Sequence, residues 1–288
     1  MPTDPRFWIG ATLLAAAILI AALFPLLSDS SPYAVDVADR LQGPSAAHPF
    51  GTDDVGRDVF TRVIYGLRTS LLLGAIVAFF SGLIGAVLGL LAGYFRILDQ
   101  LIMRACDGFM AVPGILLALA LAASFGPGLR NVVIALVAVF APSIARVVRS
   151  RTLSVKEELF VEAIRAQGAS APRILLRHIF PNTINVLVVQ LSFVFAETIL
   201  VEAALSFLGV GVSPPIASLG NIIFAGKQVF FSAVWTVAFP SLALVVVVIA
   251  INLLADALRD TLDPRSAHIR GIRRFRRQFV QRREVSAP

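Results

Sequence analysis

The sequence predicts an all-α integral membrane protein with six transmembrane helices and both termini in the cytoplasm. The first observation is its composition, since 57% of the 288 residues are hydrophobic and the mean hydropathy is +0.83. A water-soluble fold of this size could not bury so many apolar side chains, so the lipid bilayer must act as their solvent. The other two observations are a series of long apolar runs and the uneven distribution of Lys and Arg between them.

Six apolar runs are long enough, or nearly so, to cross the bilayer as helices. A helix needs about 20 apolar residues to cross a hydrocarbon layer about 30 Å thick. The predicted spans are residues 8–27, 70–95, 109–125, 132–148, 184–207 and 234–254. A membrane β-barrel is a poor alternative, because these runs exceed the length of a barrel strand, about ten residues, and do not alternate between apolar and polar residues.

The first span, residues 8–27, resembles a secretory signal in position only. It has a long apolar stretch, a single basic residue before it, Arg6, and no clear pattern of small residues for cleavage after it. We therefore predict a retained helix.

The basic residues predict the orientation, because Lys and Arg gather on the cytoplasmic side of a membrane. With the N-terminus inside, 19 of the 25 basic residues fall on the cytoplasmic side and six fall outside. Residues 28–69 and 208–233 then face outward, and the loop 149–183 faces the cytoplasm.

Three regions follow from this topology. Residues 1–69 contain the first helix and the outward segment, residues 70–264 form the helical core, and residues 265–288 form a basic tail. We predict that the tail lies on the anionic membrane surface, with partner contacts as the alternative. Nucleic acid is a poor candidate, because only two aromatic residues interleave the arginines.

Cysteine and histidine usage argues against a metal site. The single cysteine, Cys106, excludes an internal disulfide. The three histidines, His48, His178 and His268, fall in three separate segments, so they do not form the ligand cluster that zinc requires. We predict that this chain binds neither a metal nor another cofactor.

The loop 149–183 has the pattern of a soluble docking element. Residues 156–166 have the apolar spacing of an amphipathic helix. Leu159, Ala163 and Ala166 fall on one face and Phe160 and Ile164 on an adjoining face, and we predict that the helix buries this apolar stripe. The charged residues of the helix remain for the other side: Glu157, Glu158, Glu162 and Arg165. An ordinary amphipathic helix at the membrane interface is the alternative.

The second half of this loop predicts another short helix. Gly168 is placed to end the first helix in a left-handed turn. Ser170 can cap the next helix, with Pro172 in its first turn. Pro181 is predicted to terminate that second helix.

The outward segment predicts a turn that leads into a helix. Gly51 and Gly56 supply the turn, and Asp53, Asp54 and Asp58 lie near the helix start, where the helix dipole favours negative charge. A calcium loop is the alternative, but the order of ligands in an EF-hand is absent.

Several of these motifs resemble those of ABC-transporter permeases. Glu162, Ala163, Gly168 and Pro181 fall on the EAA-loop pattern of that family, with Ile164 in place of its second alanine. Further motifs resemble the second, C-type permease of the dipeptide, oligopeptide and nickel branch: residues 51–58, 177–182, 202–215 and 256–264. Leu219 stands where that branch usually has tryptophan.

The resemblance implies the type I ABC importer permease fold. The helix before Gly168 would be the coupling helix, seated in a cleft of a separate ATPase. The residues implied in ATPase coupling are Phe160, Glu162, Ala163, Ile164, Ala166 and Gly168. The residues implied to face a solute-binding protein are Asp53, Arg57, Asp58, Pro214 and Pro215.

The implied function is an ATP-driven importer in a bacterial or archaeal inner membrane. The implied partners are a homologous second permease, two ABC ATPases that hold ATP and magnesium, and an external solute-binding protein. The chain is not predicted to be an enzyme, since it lacks the Gly-x-x-x-x-Gly-Lys-Ser/Thr loop that cradles nucleotide phosphates. Peptides are the predicted cargo, with nickel complexes, opines, glutathione and sugar-like solutes as alternatives.

Two acids fall in or near the fifth predicted helix. Charged groups are costly in hydrocarbon, so they usually face a cavity or a partner. Glu197 and Glu202 are five positions apart, about 140° around a helix, and cannot share one face. Glu197 is a candidate for the translocation path, and Glu202 for an interfacial position or the external gate. A buried, hydrogen-bonded or subunit-interface role for Glu197 is the alternative.

Two other classes of function have less support. A secondary transporter driven by an ion gradient would show broken helices or paired charges near the midplane in both halves. A membrane-embedded enzyme would need a convergent group of catalytic side chains. The glycines of the second span, which recur at three- and four-residue spacing, predict close helix packing: Gly82, Gly85, Gly89 and Gly93.

Overall fold

The structure, a computed structural model, describes residues 5–262. Within this range the secondary structure is helical and includes no β-strand. The helices are α1 (Pro5–Leu27), α2 (Val59–Tyr94), α3 (Arg96–Met110), α4 (Gly114–Phe125), α5 (Leu129–Lys156), α6 (Leu159–Ala166), α7 (Ala171–Arg173), α8 (Phe180–Phe207), α9 (Leu219–Gly226) and α10 (Trp235–Leu262). Short turns of 3₁₀-helix lie at Val37–Asp39 and Lys227–Val229, and a π-helical turn lies at Ile174–Ile179.

The helix lengths confirm the all-helical membrane class. Five helical paths among the described residues are long and apolar enough to cross a membrane, and the bent pair α3 and α4 makes a sixth if counted as one span. These paths match five of the predicted spans to within one residue where a span runs past its helix, and the bent pair covers the third. The predicted basic tail, residues 265–288, lies outside the described residues.

The third predicted span was wrong as a single continuous helix. Residues 109–125 divide between the end of α3 and the 12-residue α4, and the two helices bend by 89°. Pro113 immediately precedes α4. Proline has no N–H to continue the backbone ladder, and its ring clashes with the preceding turn, so the chain breaks there.

The second predicted span extends much further outward than its apolar run. Helix α2 has 36 residues and begins at Val59, so the amphipathic stretch after the outward turn joins the membrane helix without a break. The predicted boundary between residues 69 and 70 therefore falls inside a continuous helix.

Helix α2 packs closely against α5 through its glycines, as the sequence spacing predicted. A Cβ atom added at Gly85 would lie 2.6 Å from the Ile144 Cβ, and one added at Gly93 would lie 2.6 Å from the Thr152 Cβ. No larger residue fits at these positions without moving one helix. Gly82 faces α8 instead, where an added Cβ would lie 2.6 Å from the Leu191 side chain.

Ion pairs hold α3 against α5 at the predicted cytoplasmic end. The Arg149 guanidinium donates to both carboxylate oxygens of Asp99, and Arg146 Nη2 lies 2.6 Å from Asp107 Oδ1. The rest of the core forms two apolar clusters, one around α2, α4, α5 and α8 and one around α1, α2, α8 and α10. Helices α2 and α8 contribute to both clusters, so they connect the two clusters to each other.

Candidate functional site

The predicted cytoplasmic loop begins with a sharp bend after α5. Helix α5 ends at Lys156 and α6 begins at Leu159, so the predicted start of the amphipathic helix at residue 156 was three residues early. Gly168 follows the helix with φ of +83°, and its N–H donates to Arg165 O at 3.0 Å. The predicted left-handed turn at Gly168 is therefore present, and it suits glycine because the conformation strains other residues.

Within this chain, the prediction that α6 buries its apolar stripe was wrong except at Ile164. Val161 is fully buried against the core and Ile164 is partly buried beside it. Leu159 is 82% exposed and Phe160 is 42% exposed. The bend at residues 157 and 158 turns the side of α6 that carries Val161 toward the core. Helical periodicity shows which residues share a face of the helix, but it does not determine which face points to the core. The remaining predicted coupling residues are exposed as well: Glu162, Ala163, Ala166 and Gly168.

Pro181 does not terminate the second helix of the loop, contrary to the prediction. Ser170 precedes α7, which contains Pro172, but its side chain makes no capping hydrogen bond. The chain then passes through the π-helical turn into α8, where Phe180 N–H donates to Leu175 O, five residues earlier. Pro181 lies in the first turn of α8, directly after the π-helical turn through which the helical path continues.

Glu202 lies inside the protein, between α2 and α8. It is 0% exposed. Its Oε1 accepts a hydrogen bond of 2.7 Å from Ser206 Oγ, and its Oε2 lies 3.4 Å from Ser70 Oγ. Ser206 Oγ in turn accepts from Val212 N–H at 3.1 Å. Glu202 therefore joins α2, α8 and the start of the outward turn in this chain, and its role as a gate stays a prediction.

Glu197 lies on an exposed face of α8, in contrast to Glu202. The described residues include no hydrogen-bond or ion-pair partner for its carboxylate. A second subunit or an aqueous path would have to solvate this group in the membrane. The position agrees with both a translocation path and a subunit interface, which remain the two predictions for this residue.

The acids of the outward segment hold that segment together. Asp53, whose side chain is 10% exposed, lies 2.7 Å from Arg57 Nε and 3.2 Å from the buried Arg62 Nη1. It also accepts from the N–H groups of Val55 at 3.0 Å and Arg57 at 2.9 Å. Asp58 caps α2 by accepting from Thr61 N–H at 2.7 Å. Their predicted contact with a binding protein is not tested by this geometry, which assigns them an internal role first.

Aromatic contacts that the sequence motifs did not indicate fix the outward segment to α10. Trp235 Nε1 donates to Thr52 O at 3.0 Å. The ring of Phe50 stacks on that of Phe239, with 4.1 Å between centroids. Each pair spans more than 180 residues of sequence, so no local pattern could have revealed it.

The outward turn after α8 contains an exposed pair of prolines and leads into a side-chain cap at the start of α9. Pro214 and Pro215, the other predicted contacts of a binding protein, are both exposed. Ser218 and Asn221 form a capping box at the start of α9. Leu219, in the place of the usual tryptophan, is fully buried in the second apolar cluster, so this position packs inside the chain.

Sequence comparisons identify relatives over nearly the whole chain. A Brucella suis biovar 1 protein, described provisionally as a peptide transport system permease, is 46% identical over 90% of this chain and 88% of its own length. The dipeptide transport system permease protein DppC of Alkalihalophilus pseudofirmus is 44% identical, over 89% and 85%. The glutathione transport system permease protein GsiD of Pectobacterium atrosepticum is 42% identical, over 88% and 84%.

A family model and a solved structure agree with these relatives. A chain of the inward-facing MetNI methionine ABC transporter matches with a TM-score of 0.58 and 22% identity, over 71% of this chain and 97% of that one, which supports the fold. Residues 85–268 match the model described as the binding-protein-dependent transport system inner membrane component. The chain therefore belongs to that family, as a multi-pass membrane permease of an ABC transporter.

Proposed function

We propose that this chain is one of two permease subunits of an ATP-driven peptide importer in a bacterial or archaeal inner membrane. The observation that carries the proposal is the likeness, at 44% to 46% identity over nearly the full length, to permeases named for peptide and dipeptide transport. In this role the chain provides half of the translocation pathway and undergoes no covalent chemistry. Its partners would be a homologous second permease, two ATPases and an external solute-binding protein.

The surface of α6 supports the predicted site of energy input. Leu159 and Phe160 project from α6 as large exposed apolar side chains. Such a patch next to exposed charged residues is typical of a protein interface. Glu162 and Arg165 supply charge of both signs on the same short helix. We therefore assign α6 to a cleft in an ATPase subunit, and ATP with magnesium to that ATPase.

The mechanism would be mechanical coupling between the ATPases and the membrane helices. ATP binding would draw the two ATPases together and move each α6 with them. Because α6 follows α5 after two residues and packs on the core through Val161, its displacement would shift α5 and the helices packed against it. The path would then open alternately to each side, a change between two packed states a few kcal/mol apart.

Gly168 offers a test of the coupling assignment with a matched control. Gly168 and Gly126 both have φ near +82°, and an added Cβ at either residue would meet no atom within 4 Å. Substitution by valine therefore imposes similar backbone strain, about 1–2 kcal/mol, at one position just before α5 and at another just after α6. We expect Gly168→Val to abolish ATP-dependent uptake and Gly126→Val to retain most of it.

The measurement uses the whole complex, purified through a tag on this chain and reconstituted into proteoliposomes with its binding protein. Uptake from an equimolar mixture of dipeptides is quantified by mass spectrometry, with and without ATP. Transport by the chain alone, without co-purified ATPases, would overturn the proposal.

Glutathione is the second candidate cargo, because permeases named for glutathione transport are 42% identical to this chain. Adding glutathione to the same proteoliposomes distinguishes the two. Uptake of glutathione in preference to every dipeptide would reassign the substrate while leaving the importer class intact.

A further inference from the structure

Tyr94, the last residue of α2, lies between two cations that flank the bend from α5 into α6. Lys156, the last residue of α5, lies with its Nζ 5.3 Å from the centroid of the Tyr94 ring. Arg165, in the last turn of α6, lies with its Cζ 5.9 Å from the same centroid. One ring therefore contacts both sides of the bend.

The backbone of Tyr94 strengthens this junction. Its carbonyl accepts a hydrogen bond of 2.7 Å from Lys156 Nζ. The last carbonyls of a helix have no partner within the helix and carry the negative end of its dipole, so an ammonium group is favoured there. Lys156 thus binds Tyr94 through both the carbonyl and the ring, whereas Arg165 depends on the ring alone.

The contact connects α6 to a helix that reaches the opposite end of the molecule. Helix α2 runs without a break from its Asp58 cap in the outward segment to Tyr94. Next to Tyr94, Gly93 packs directly on Thr152 of α5, so the end of α2 is held against α5 as well. Any rotation of α6 relative to α5 therefore acts on Tyr94, and through it on α2.

We propose that Tyr94 is a positioning residue that sets the angle between α5 and α6 and transmits the movement of α6 to α2. This inference rests on the proposed function, since it requires an ATPase to move α6. The cation–π contact of Arg165 with the ring is the element that transmits the movement. The aromatic ring is needed and the phenol hydroxyl is not.

The test compares Tyr94→Leu with Tyr94→Phe in the reconstituted complex. Leucine keeps an apolar side chain and the backbone carbonyl but removes the ring, whereas phenylalanine keeps the ring. We expect Tyr94→Leu to lower the number of dipeptides imported per ATP hydrolysed about 3-fold, the scale of a single cation–π contact. We expect Tyr94→Phe to retain the wild-type ratio. Equal ratios for all three proteins would overturn the proposal, and so would an equal loss in both variants.

Tyr65 provides the control on the same helix. It is also half-buried, and among the described residues its ring makes no cation–π contact. Tyr65→Leu should leave the ratio unchanged, so a loss equal to that of Tyr94→Leu would identify a general packing effect on α2. Arg165→Gln should lower the ratio as Tyr94→Leu does, and the double variant should be no worse than either single one. Additive losses would contradict a shared contact.

A second measurement does not depend on the cargo. Cys106 is the single cysteine of the chain, so a Cys106→Ser, Asp54→Cys variant offers one labelling site on this chain, in the outward segment, when the chain is labelled before assembly with its partners. We expect ATP with vanadate to shift its emission in the wild-type and Tyr94→Phe backgrounds, and to shift it about 3-fold less in Tyr94→Leu. Failure of Tyr94→Leu to reduce the shift would sink the Tyr94 proposal alone. Failure of any ATPase to co-purify would sink the proposed function as well.

Discussion

The outward segment and the cytoplasmic helix α6 differ in whether their side chains find partners within the chain. In the outward segment, Asp53 and Asp58 satisfy their carboxylates with partners from the same chain. In α6, Leu159 is 82% exposed and Phe160 is 42% exposed in the part of the chain that the structure describes. The acidic residues of a sequence motif can therefore stabilise the fold of their own chain. The residues available to a partner are instead the exposed apolar ones.

The largest expected effect comes from removing the charge of the Asp53 carboxylate. Asp53→Asn would leave the Arg62 guanidinium, 7% exposed, without its charged partner. Breaking a buried pair in this way costs about 3–5 kcal/mol, so the thermal midpoint of the detergent-solubilised complex should fall. Asp54→Asn is the control, because Asp54 is more exposed and its nearest cation lies 3.8 Å away; we expect a change within about 0.5 kcal/mol. Similar small changes in both variants would refute an internal role for Asp53.

The second test concerns the exposed apolar residue Phe160 of α6. Phe160→Ala should change the thermal midpoint of the solubilised chain little, because Phe160 is 42% exposed and belongs to neither apolar cluster. It should weaken ATPase binding by about 2 kcal/mol, about 30-fold in affinity, as expected for an aromatic hot spot. Titration of the purified ATPase onto the chain in nanodiscs measures this. Phe231→Ala, which removes an exposed ring in the segment 208–233 that is predicted to face outward, should not alter binding. If Phe231→Ala weakens binding as much, α6 is not the docking helix.

The smallest test removes one hydrogen bond that fixes the outward segment. Trp235→Phe keeps most of the ring but loses the donor to Thr52 O. We expect a loss of about 1 kcal/mol, visible as faster protease cleavage within residues 28–58. Trp8→Phe is a suitable control, since Trp8 is 59% exposed on α1. Unchanged cleavage in Trp235→Phe would show that the stacked Phe50 and Phe239 rings hold the segment without help.

The sequence predicted those features that depend on local chemistry. Apolar run length located the five continuous membrane paths, and Gly168 marked the end of α6 because its left-handed conformation suits glycine. The glycine spacing in α2 likewise predicted a close helix contact. Each of these signals lies within a few turns of chain.

Features that depend on the orientation of one element against another were not predictable in the same way. The buried side of α6 follows from the bend after Lys156, and the continuity through Pro181 follows from a π-helical turn. The contacts of Trp235 with Thr52 and of Arg165 with Tyr94 join distant segments. The third predicted span rested on its apolar residues alone, and the break at Pro113 before α4 divides it. In each case tertiary packing decided among alternatives that the local pattern left open.

The length of α2 gives the molecule a lever. Its 36 residues span about 54 Å, whereas the hydrocarbon layer is about 30 Å thick, so the helix must project beyond the lipid or lie oblique to it. A tilt of about 10° around its midpoint would displace each tip by about 5 Å in opposite directions, by the geometry of a rigid rod of that length. A small tilt driven from one membrane surface would therefore move the other end of α2 by about the length of a side chain. No helix would have to unfold or slide.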